Sequence, residues 1–331
     1  MRQVFIPVDM NPAPLRPPTG LNVQTLGGAT MGTTWSVKAA VPSGQPLDRL
    51  QCDIEKAFAE IVRQMSPWEE HSCLSLFNRA PPGTWQRLPG EFFAVLAEAV
   101  RIAEQGAGAF DPTVGSLVDR AAFGPVLPSE SSSEQSSTTA APRSSLHMDP
   151  VTRSTLQPGG VQLDLCAIAK GFAVDRVSEI LLRHELLDHL VEIGGECRGS
   201  GLKPDGTPWW VAIEQATSGS GSAAPSAVIA LHDVSIATSG GYRRYRREGD
   251  ACVTHLVDPR RGDPLDDIAT TATVVASRCM DADAWATALA VLGPEKGLRL
   301  AAARGIAALF TFGTGDARGL ELSPAMAAML N

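Results

Sequence analysis

An acid and a hydroxyl stand four positions apart in the late segment "ADAWAT" (282–287), within the otherwise apolar stretch "MDADAWATALAVLG". This stretch favours an amphipathic helix, on which Asp283 and Thr287 share one face because residues i and i+4 stack. Carboxylate and hydroxyl oxygens are ligands that Mg²⁺ accepts, commonly together with water and substrate phosphate. The same letters also fit a capped helix start. The pair is therefore either a cation site or a helix cap.

A second group is "DLCAIAKG", in which Asp164 and Lys170 flank a turn that leads into a helix. A lysine and free backbone N–H groups at a helix start suit phosphate oxygens, through point charge and helix dipole. An Asp cap with a Lys that extends to solvent explains the same letters. The segment indicates either a phosphate site or a capped helix.

A third group is "HLVDPRRG", where His255 precedes Asp258 in a turn that Pro and Gly favour. His255 is a candidate base, phosphate ligand or structural donor to its own loop. Three glycine-bearing stretches, "GGATMGTTW", "GAFDPTVG" and "EIGGECRGSG", are interpreted as loops that let the backbone approach a ligand. None matches a dinucleotide-binding fingerprint or a P-loop, and no G-x-S-x-G elbow is present.

The elements that must position these residues follow from the hydrophobic pattern. Spacings of three and four predict helices from Leu47 to Met65, at 91–105 and at 168–186. Two strands around a tight bend are predicted in 23–41, and further strands at 209–215, 227–233, 234–242, 253–258, 270–277 and 305–312. Strands mostly follow strands, so the sequence favours an α+β fold with a mixed, largely antiparallel sheet and flanking helices.

Composition limits the class of protein. The 331 residues are 44% hydrophobic and 19% charged, which is typical of a folded globular chain. A formal net charge of -8 argues against a nucleic-acid partner, because such binding needs concentrated Lys and Arg. The one basic cluster, at 242–247, is either a solvated loop or a surface for an anionic ligand or acidic partner. Six scattered cysteines without a C-x-x-C pair indicate reduced thiols.

The chain divides into an extended, proline-rich N-terminal arm (1–25) and a single domain (26–331). A serine-rich insertion at 127–145 is expected to be disordered, because it cannot bury enough apolar surface to offset its ordering entropy. The N-terminus lacks the continuous apolar region of a signal peptide, and no stretch is long enough for a membrane span. We therefore expect a cytoplasmic protein with no membrane span.

Taken together and in order, eight segments resemble the ApbE-like flavin transferases. They are "GATMGTTWSV", "MSPWEEHSCLSLFNR", "GAFDPTVGSLV", "LDLCAIAKGFAVDRV", "VEIGGECRGSG", "IATSGGYRRY", "HLVDPRRGDP" and "ADAWATALAVLG", and they extend from about residue 26 to 293. The resemblance implies an ApbE-like, T-fold-related α+β fold. It also implies a Mg²⁺-dependent enzyme that cleaves FAD, releases AMP and joins FMN to a Thr or Ser of an acceptor flavoprotein through a short motif around that residue.

The resemblance also implies roles for individual residues. The Asp283 and Thr287 side chains and the Ala167 carbonyl would bind Mg²⁺. The FAD-binding residues it implies are Met31, Trp68, Ala109, Phe110, Asp111, Asp164, Lys170 and Val257. His255 matches the family's catalytic histidine, and Asp283 is a competing candidate for the base.

Two other functions remain compatible with the same residues. One is a Mg²⁺-dependent FAD pyrophosphatase, in which water attacks and free FMN and AMP leave. The other is an FAD-binding protein without turnover. Trp68 is also compatible with a place in the hydrophobic core.

Overall fold

The computed structural model describes residues 3–8, 20–125, 146–213, 227–249, 251–313 and 319–331. The expected serine-rich insertion at 127–145 lies outside the described residues, as does the loop at 217–226 between two predicted strands. No helix in the described ranges is both long and apolar enough to cross a membrane.

The described residues form the following elements. The strands are β1 (Gln3–Phe5), β2 (Leu21–Thr30), β3 (Thr33–Pro42), β4 (Thr84–Arg87), β5 (His147–Asp149), β6 (Ser154–Gln157), β7 (His189–Ile193), β8 (Glu196–Ser200), β9 (Trp209–Ala212), β10 (Ala227–Leu231), β11 (Val234–Gly240), β12 (Tyr245–Glu248), β13 (Ala251–Thr254), β14 (Val257–Asp258), β15 (Asp263–Pro264), β16 (Thr271–Ala276), β17 (Ala307–Phe312) and β18 (Gly319–Leu322). The helices are α1 (Asp48–Met65), α2 (Cys73–Asn78), α3 (Gly90–Gln105), α4 (Gly115–Arg120), α5 (Ala169–Arg183), α6 (Cys279–Leu292), α7 (Pro294–Arg304) and α8 (Pro324–Ala327).

An eight-stranded sheet forms the centre of the fold. Its strands lie in the order β18, β17, β16, β11, β8, β7, β3 and β2. Every neighbouring pair in this sheet is antiparallel. The predicted α+β fold with a largely antiparallel sheet is confirmed.

Side chains of the central sheet alternate between two apolar layers. Val274 belongs to the larger core, which α1, α3, α5 and α6 cover, whereas its neighbour Val275 belongs to a smaller core. This alternation follows from the period of two along a strand. The smaller core is covered by α8 and by a second sheet of order β1, β10, β9. The helices that carry the candidate site residues therefore lie on one face of the central sheet.

Helix α6 is buried on all sides, and the prediction of an amphipathic helix is wrong here. Ten of its fourteen residues are buried. It packs on β11 and β16 and also contacts α3, α5 and α7. Its many alanines allow this, because a helix that is apolar all round is buried and small side chains let its neighbours approach. Asp283 is consequently held in the protein interior.

The stretch "EIGGECRGSG", interpreted as a glycine-rich loop, is a hairpin in the middle of the central sheet. Strands β7 and β8 pair from His189↔Ser200 to Ile193↔Glu196. The two glycines form only the turn, with φ of 61° at Gly194 and 107° at Gly195. Glycine adopts such angles without the steric cost that other residues meet.

The N-terminal segment contributes to the fold at two places. Residues Gln3–Phe5 form β1, which lies parallel to β10, and Phe5 is fully buried. The expected boundary of the arm at residue 25 falls inside β2, so residues 21–25 belong to the central sheet. Within the arm, residues 1–2 and 9–19 lie outside the described residues.

Candidate active site

Asp283 meets the start of α5. It is 5% exposed, and its Oδ2 accepts the backbone N–H of Gly171 at 2.9 Å. In a helix that began one turn earlier, this N–H would bond the carbonyl of Ala167, four residues back. Because α5 begins at Ala169, the Gly171 N–H is available to Asp283. The arrangement leaves the Ala167 carbonyl without this helical donor.

Three ionisable side chains interact near the start of α5: Lys170, Glu196 and Asp283. The Lys170 Nζ lies 2.5 Å from Glu196 Oε1 at the start of β8. Burial opposes the charge of Lys170, but the carboxylates of Asp283 and Glu196 outweigh it and raise the lysine pKa. Burial also raises the pKa of Asp283, against the attraction of Lys170. Lys170 is thus a cation held by Glu196 and stabilised by the charges of two interior acids.

Glu196 is a site residue that the sequence interpretation missed. It is 3% exposed, and burial raises its pKa to about 7, against the effect of Lys170. Its Oε2 is buried and has no hydrogen-bond partner among the residues that the structure describes. The Lys170 side chain, by contrast, is 31% exposed, so Lys170 can reach a ligand while Glu196 lies behind it. The only sequence signal was an acid directly after two glycines.

Thr287 lies on the same face of α6 as Asp283, one turn later. Its Oγ1 is 3.3 Å from the Oγ of Ser239 on β11, a second residue that was not anticipated. Carboxylate, hydroxyl and carbonyl oxygens together make a donor set for a hard cation. Among the described residues no group of three or more His, Cys, Asp and Glu could hold a metal. This donor set fits Mg²⁺, which keeps several waters and needs few protein ligands.

The segment before α5 brings Asp164 beside the turn that contains Asp111. Asp164 N–H donates to the Pro112 carbonyl at 2.8 Å, and Asp164 Oδ1 accepts the N–H of Cys166 at 2.7 Å. Asp111 Oδ1 accepts both the N–H and the hydroxyl of Thr113. These two carboxylates therefore order adjacent turns.

Ala109 and Phe110, next to this turn, are 1% and 5% exposed. Phe110 belongs to the larger core. What these two residues can offer a ligand is therefore their backbone. Val257 is similarly buried, in a small apolar cluster with Leu117 and Ala121.

His255 has one ring nitrogen fixed and the other available. Its Nδ1 lies 3.1 Å from the carbonyl oxygen of Arg244. A carbonyl only accepts, so Nδ1 carries the proton and neutral His255 has its lone pair on Nε2. Burial lowers the His255 pKa to about 4, and the charges of Arg244 and Lys170 act in the same direction. His255 is therefore neutral near pH 7 and can accept a proton at Nε2.

Met31 lies in the two-residue turn between β2 and β3. Its φ is 47° and that of Gly32 is 71°. The Gly194 N–H donates to the Thr34 carbonyl, which places this turn beside the hairpin that carries Glu196. Trp68 is 52% exposed, so the alternative place for it in the core is wrong. No hydrogen bond or ion pair among the described residues joins Trp68 to Lys170, Glu196 or Asp283.

An antiparallel α+β fold that carries hard oxygen donors, a lysine and a neutral histidine is suited to chemistry on a phosphate ester. The ApbE family model matches residues 31–310. The chain is 35% identical over 299 residues to a Vibrio cholerae protein named FAD:protein FMN transferase, with 88% of each chain covered. A Haemophilus influenzae protein of the same name is 36% identical, with 84% of this chain and 83% of the relative covered.

Solved structures agree with these relatives. The apo form of the Pseudomonas stutzeri flavinyl transferase ApbE has a TM-score of 0.81 at 30% identity, covering 93% of this chain and 97% of that one. The flavin transferase ApbE from Vibrio cholerae also has a TM-score of 0.81, at 31% identity, covering 94% of this chain and all of that one. The chain belongs to the ApbE family.

Proposed function

We propose that this chain transfers the FMN moiety of FAD to a Thr or Ser hydroxyl of an acceptor flavoprotein, with release of AMP. The observation that carries the proposal is the oxygen donor set of α6, Asp283 and Thr287, beside the fixed cation Lys170. In this reaction the acceptor oxygen forms a bond to the FMN phosphorus. The bond from that phosphorus to the bridging oxygen breaks, and AMP keeps that oxygen.

In this proposal, FAD binds at the turns around Lys170, Glu196 and Asp283. The Lys170 ammonium is placed to neutralise pyrophosphate oxygens, since it is partly exposed and held from behind by Glu196. Asp111 and Asp164 order adjacent turns, and in this proposal the neighbouring backbone of Ala109 and Phe110 contacts FAD. The remaining FAD contacts in this proposal are the side chains of Met31 and Trp68 and the neighbourhood of Val257.

Mg²⁺ would be held by the side chains of Asp283 and Thr287 and by the Ala167 carbonyl. When bound, it supplies Lewis-acid stabilisation of charge that develops on the phosphate oxygens. The protein's own contribution is to keep Asp283 oriented, through the Gly171 N–H, and to keep Thr287 on the same helical face.

His255 is the preferred base for the acceptor hydroxyl. Its Nε2 is free to take the hydroxyl proton, because Nδ1 is committed to the Arg244 carbonyl. Asp283 is the weaker candidate, because it already accepts the Gly171 N–H and its carboxylate is assigned to the cation.

The test is an acceptor mass assay. The protein is incubated with FAD, Mg²⁺ and a flavoprotein that carries a candidate Thr or Ser motif, with and without chelator. We expect the acceptor to gain the mass of one FMN less one water only without chelator, and Asp283→Ala to abolish the gain. Free FMN and AMP without an acceptor adduct would instead show a pyrophosphatase, and intact FAD would show a binding protein. The expected cytoplasmic location of the chain stays a prediction.

A further inference from the structure

Helix α6 receives its N-terminal cap from another helix. Its own N-cap residue, Arg278, makes no side-chain capping bond. The first N–H groups of any helix lack partners within that helix and need an outside acceptor. Asp175 of α5 provides it: Oδ1 accepts the N–H of Cys279 at 2.8 Å, and Oδ2 accepts that of Met280 at 2.9 Å. Both oxygens of one carboxylate are thus used on the first turn of α6.

The same face of α5 contacts α6 again one turn earlier. Gly171, four residues before Asp175, donates its N–H to Asp283. A Cβ at position 171 would lie 2.3 Å from the carbonyl oxygen of Cys279, so the two helices approach this closely only because residue 171 is glycine. Residues 171 and 175 together hold α6 at its first turn and at Asp283.

Asp175 is itself held in place from the sheet. Arg198 of β8 has its Nη1 3.7 Å from Asp175 Oδ1. The same guanidinium donates to the hydroxyl of Ser235 and to the carbonyl of Ser277, just before α6. The Asp175 and Arg198 side chains are 16% and 22% exposed, so water competes little for these bonds. The carboxylate is therefore a fixed anchor.

We propose that Asp175 is a positioning residue for the cation site. Ala167 and Lys170 lie at the N-terminal end of α5, whereas Asp283 and Thr287 lie on α6, so the donor set is complete only in one relative placement of the two helices. Asp175 fixes that placement by binding both N–H groups at the start of α6, and it does not touch the cation. The inference rests on the metal site of the proposed function.

The test measures binding of Mn²⁺ alone by electron paramagnetic resonance of the free ion, since Mn²⁺ accepts the same oxygen ligands as Mg²⁺. Asp175→Asn keeps the shape but offers one acceptor oxygen, and its NH₂ group faces a backbone N–H. We expect the Mn²⁺ Kd to rise by about 10- to 100-fold, as for other residues that orient metal ligands. The matched control is Asp281→Asn, which makes the same substitution within the first turn of α6 itself but leaves the contact of α6 with Asp175 on α5.

Asp281→Asn is expected to change the Kd by less than about twofold, a purely electrostatic effect at a partly exposed pair. An equal loss of affinity in both variants, or an unchanged Kd in folded Asp175→Asn, would overturn the inference. If Asp175→Asn does not fold, Arg198→Gln decides, because it removes the side chain that holds the Asp175 carboxylate in place and should also weaken Mn²⁺ binding, whereas an unchanged Kd would overturn the inference. Wild-type protein that binds no Mn²⁺ would contradict the metal site of the proposed function instead.

Discussion

Two buried carboxylates interact with one ammonium group at the candidate site. Asp283 and Glu196 are almost fully buried; Glu196 forms an ion pair with Lys170, and Asp283 acts on Lys170 through its charge. Buried acids without enough counter-charge take up protons, which is why burial raises the pKa of Glu196 to about 7. A bound divalent cation would reverse the local excess of negative charge. The resulting positive charge would favour binding of a pyrophosphate. The electrostatics of these residues therefore favour a cation and an anionic ligand together.

Replacement of His255 should impair transfer of FMN without impairing binding of FAD. His255→Ala is expected to keep FAD binding and to lower the rate of acceptor flavinylation by about 10²- to 10⁴-fold, the usual contribution of a general base. The reason is that the free Nε2 of His255 is lost while Lys170 and Asp283 stay in place. Transfer is measured by acceptor mass, and FAD binding by equilibrium dialysis.

His232→Ala is the matched control for this prediction. His232 also bonds a backbone carbonyl through Nδ1, that of Gly201, but it lies in the turn between β10 and β11. Its replacement should leave transfer unchanged. Because His255 is partly exposed, added imidazole should restore part of the activity of His255→Ala. Transfer at the wild-type rate by His255→Ala would remove this histidine from the mechanism.

The sequence predicts residues of the candidate site most directly where they are close along the chain. Asp283 and Thr287 are one helical turn apart, so their common face follows from spacing alone. Glu196, Ser239 and Asp175 were missed, because each reaches the site from a different strand or helix and their contacts exist only in the folded chain. Their letters carry no local signal that distinguishes them from ordinary polar residues.

The turn between β2 and β3 stores strain at the candidate FAD site. Two-residue hairpin turns with positive φ at both central positions prefer Asn-Gly, whereas this turn has Met31 at φ 47° before Gly32. Met31→Asn is expected to raise the free energy of unfolding by about 1 kcal/mol. It should also raise the Kd for FAD, because Met31 is proposed to contact it. Urea denaturation and dialysis measure the two effects.

Glu185→Asn is the control at a site remote from ligand. Glu185 follows α5, is exposed and has a φ of 61°. This change should give a similar gain in stability with an unaltered Kd for FAD. If Met31→Asn were to leave both quantities unchanged, neither the strain nor the FAD contact would be supported.

The helices and strands were predicted correctly where one spacing of apolar residues dominates the segment. Helix α1 was predicted from Leu47 to Met65 and is observed at Asp48–Met65, because its apolar positions recur every three or four residues. The prediction of an amphipathic helix was wrong for α6 because alanine is compatible with both core and surface positions. The burial of α6 therefore depends on its packing against β11 and β16. Strands β7 and β8 were missed because two glycines dominate a hairpin whose strands are only five residues long.

At the scale of the whole molecule, α5 links the site to the core. Its N-terminal end carries Lys170 and Gly171, and further along it packs on β7 and β8. Ser178, on its buried side, meets His189 at the start of β7, with Ser178 Oγ and His189 Nε2 2.7 Å apart. His189 is fully buried, so this contact belongs to the cooperative core and not to the ligand site.

His189 should make the stability of the molecule sensitive to acid. Its Nδ1 donates to the Leu186 carbonyl, and its Nε2 accepts from Ser178, so the neutral ring is fully satisfied. Burial lowers the His189 pKa to about 4, from the 6.5 that is usual for a solvated histidine. The unfolded chain therefore binds the proton first as pH falls. The contribution is complete above about pH 6.5 and is lost progressively down to pH 4.

The size of this effect can be isolated by substitution. One pKa unit corresponds to about 1.4 kcal/mol, so His189 should cost the native state about 2 kcal/mol between pH 7.5 and 5. His189→Gln removes the titration, and we expect its unfolding free energy to fall less over that interval by this amount. Urea denaturation at several pH values gives both curves, and groups other than His189 cancel in their difference. Parallel curves would mean that the pKa of His189 is the same in the native and the unfolded state, which its burial and its two hydrogen bonds oppose.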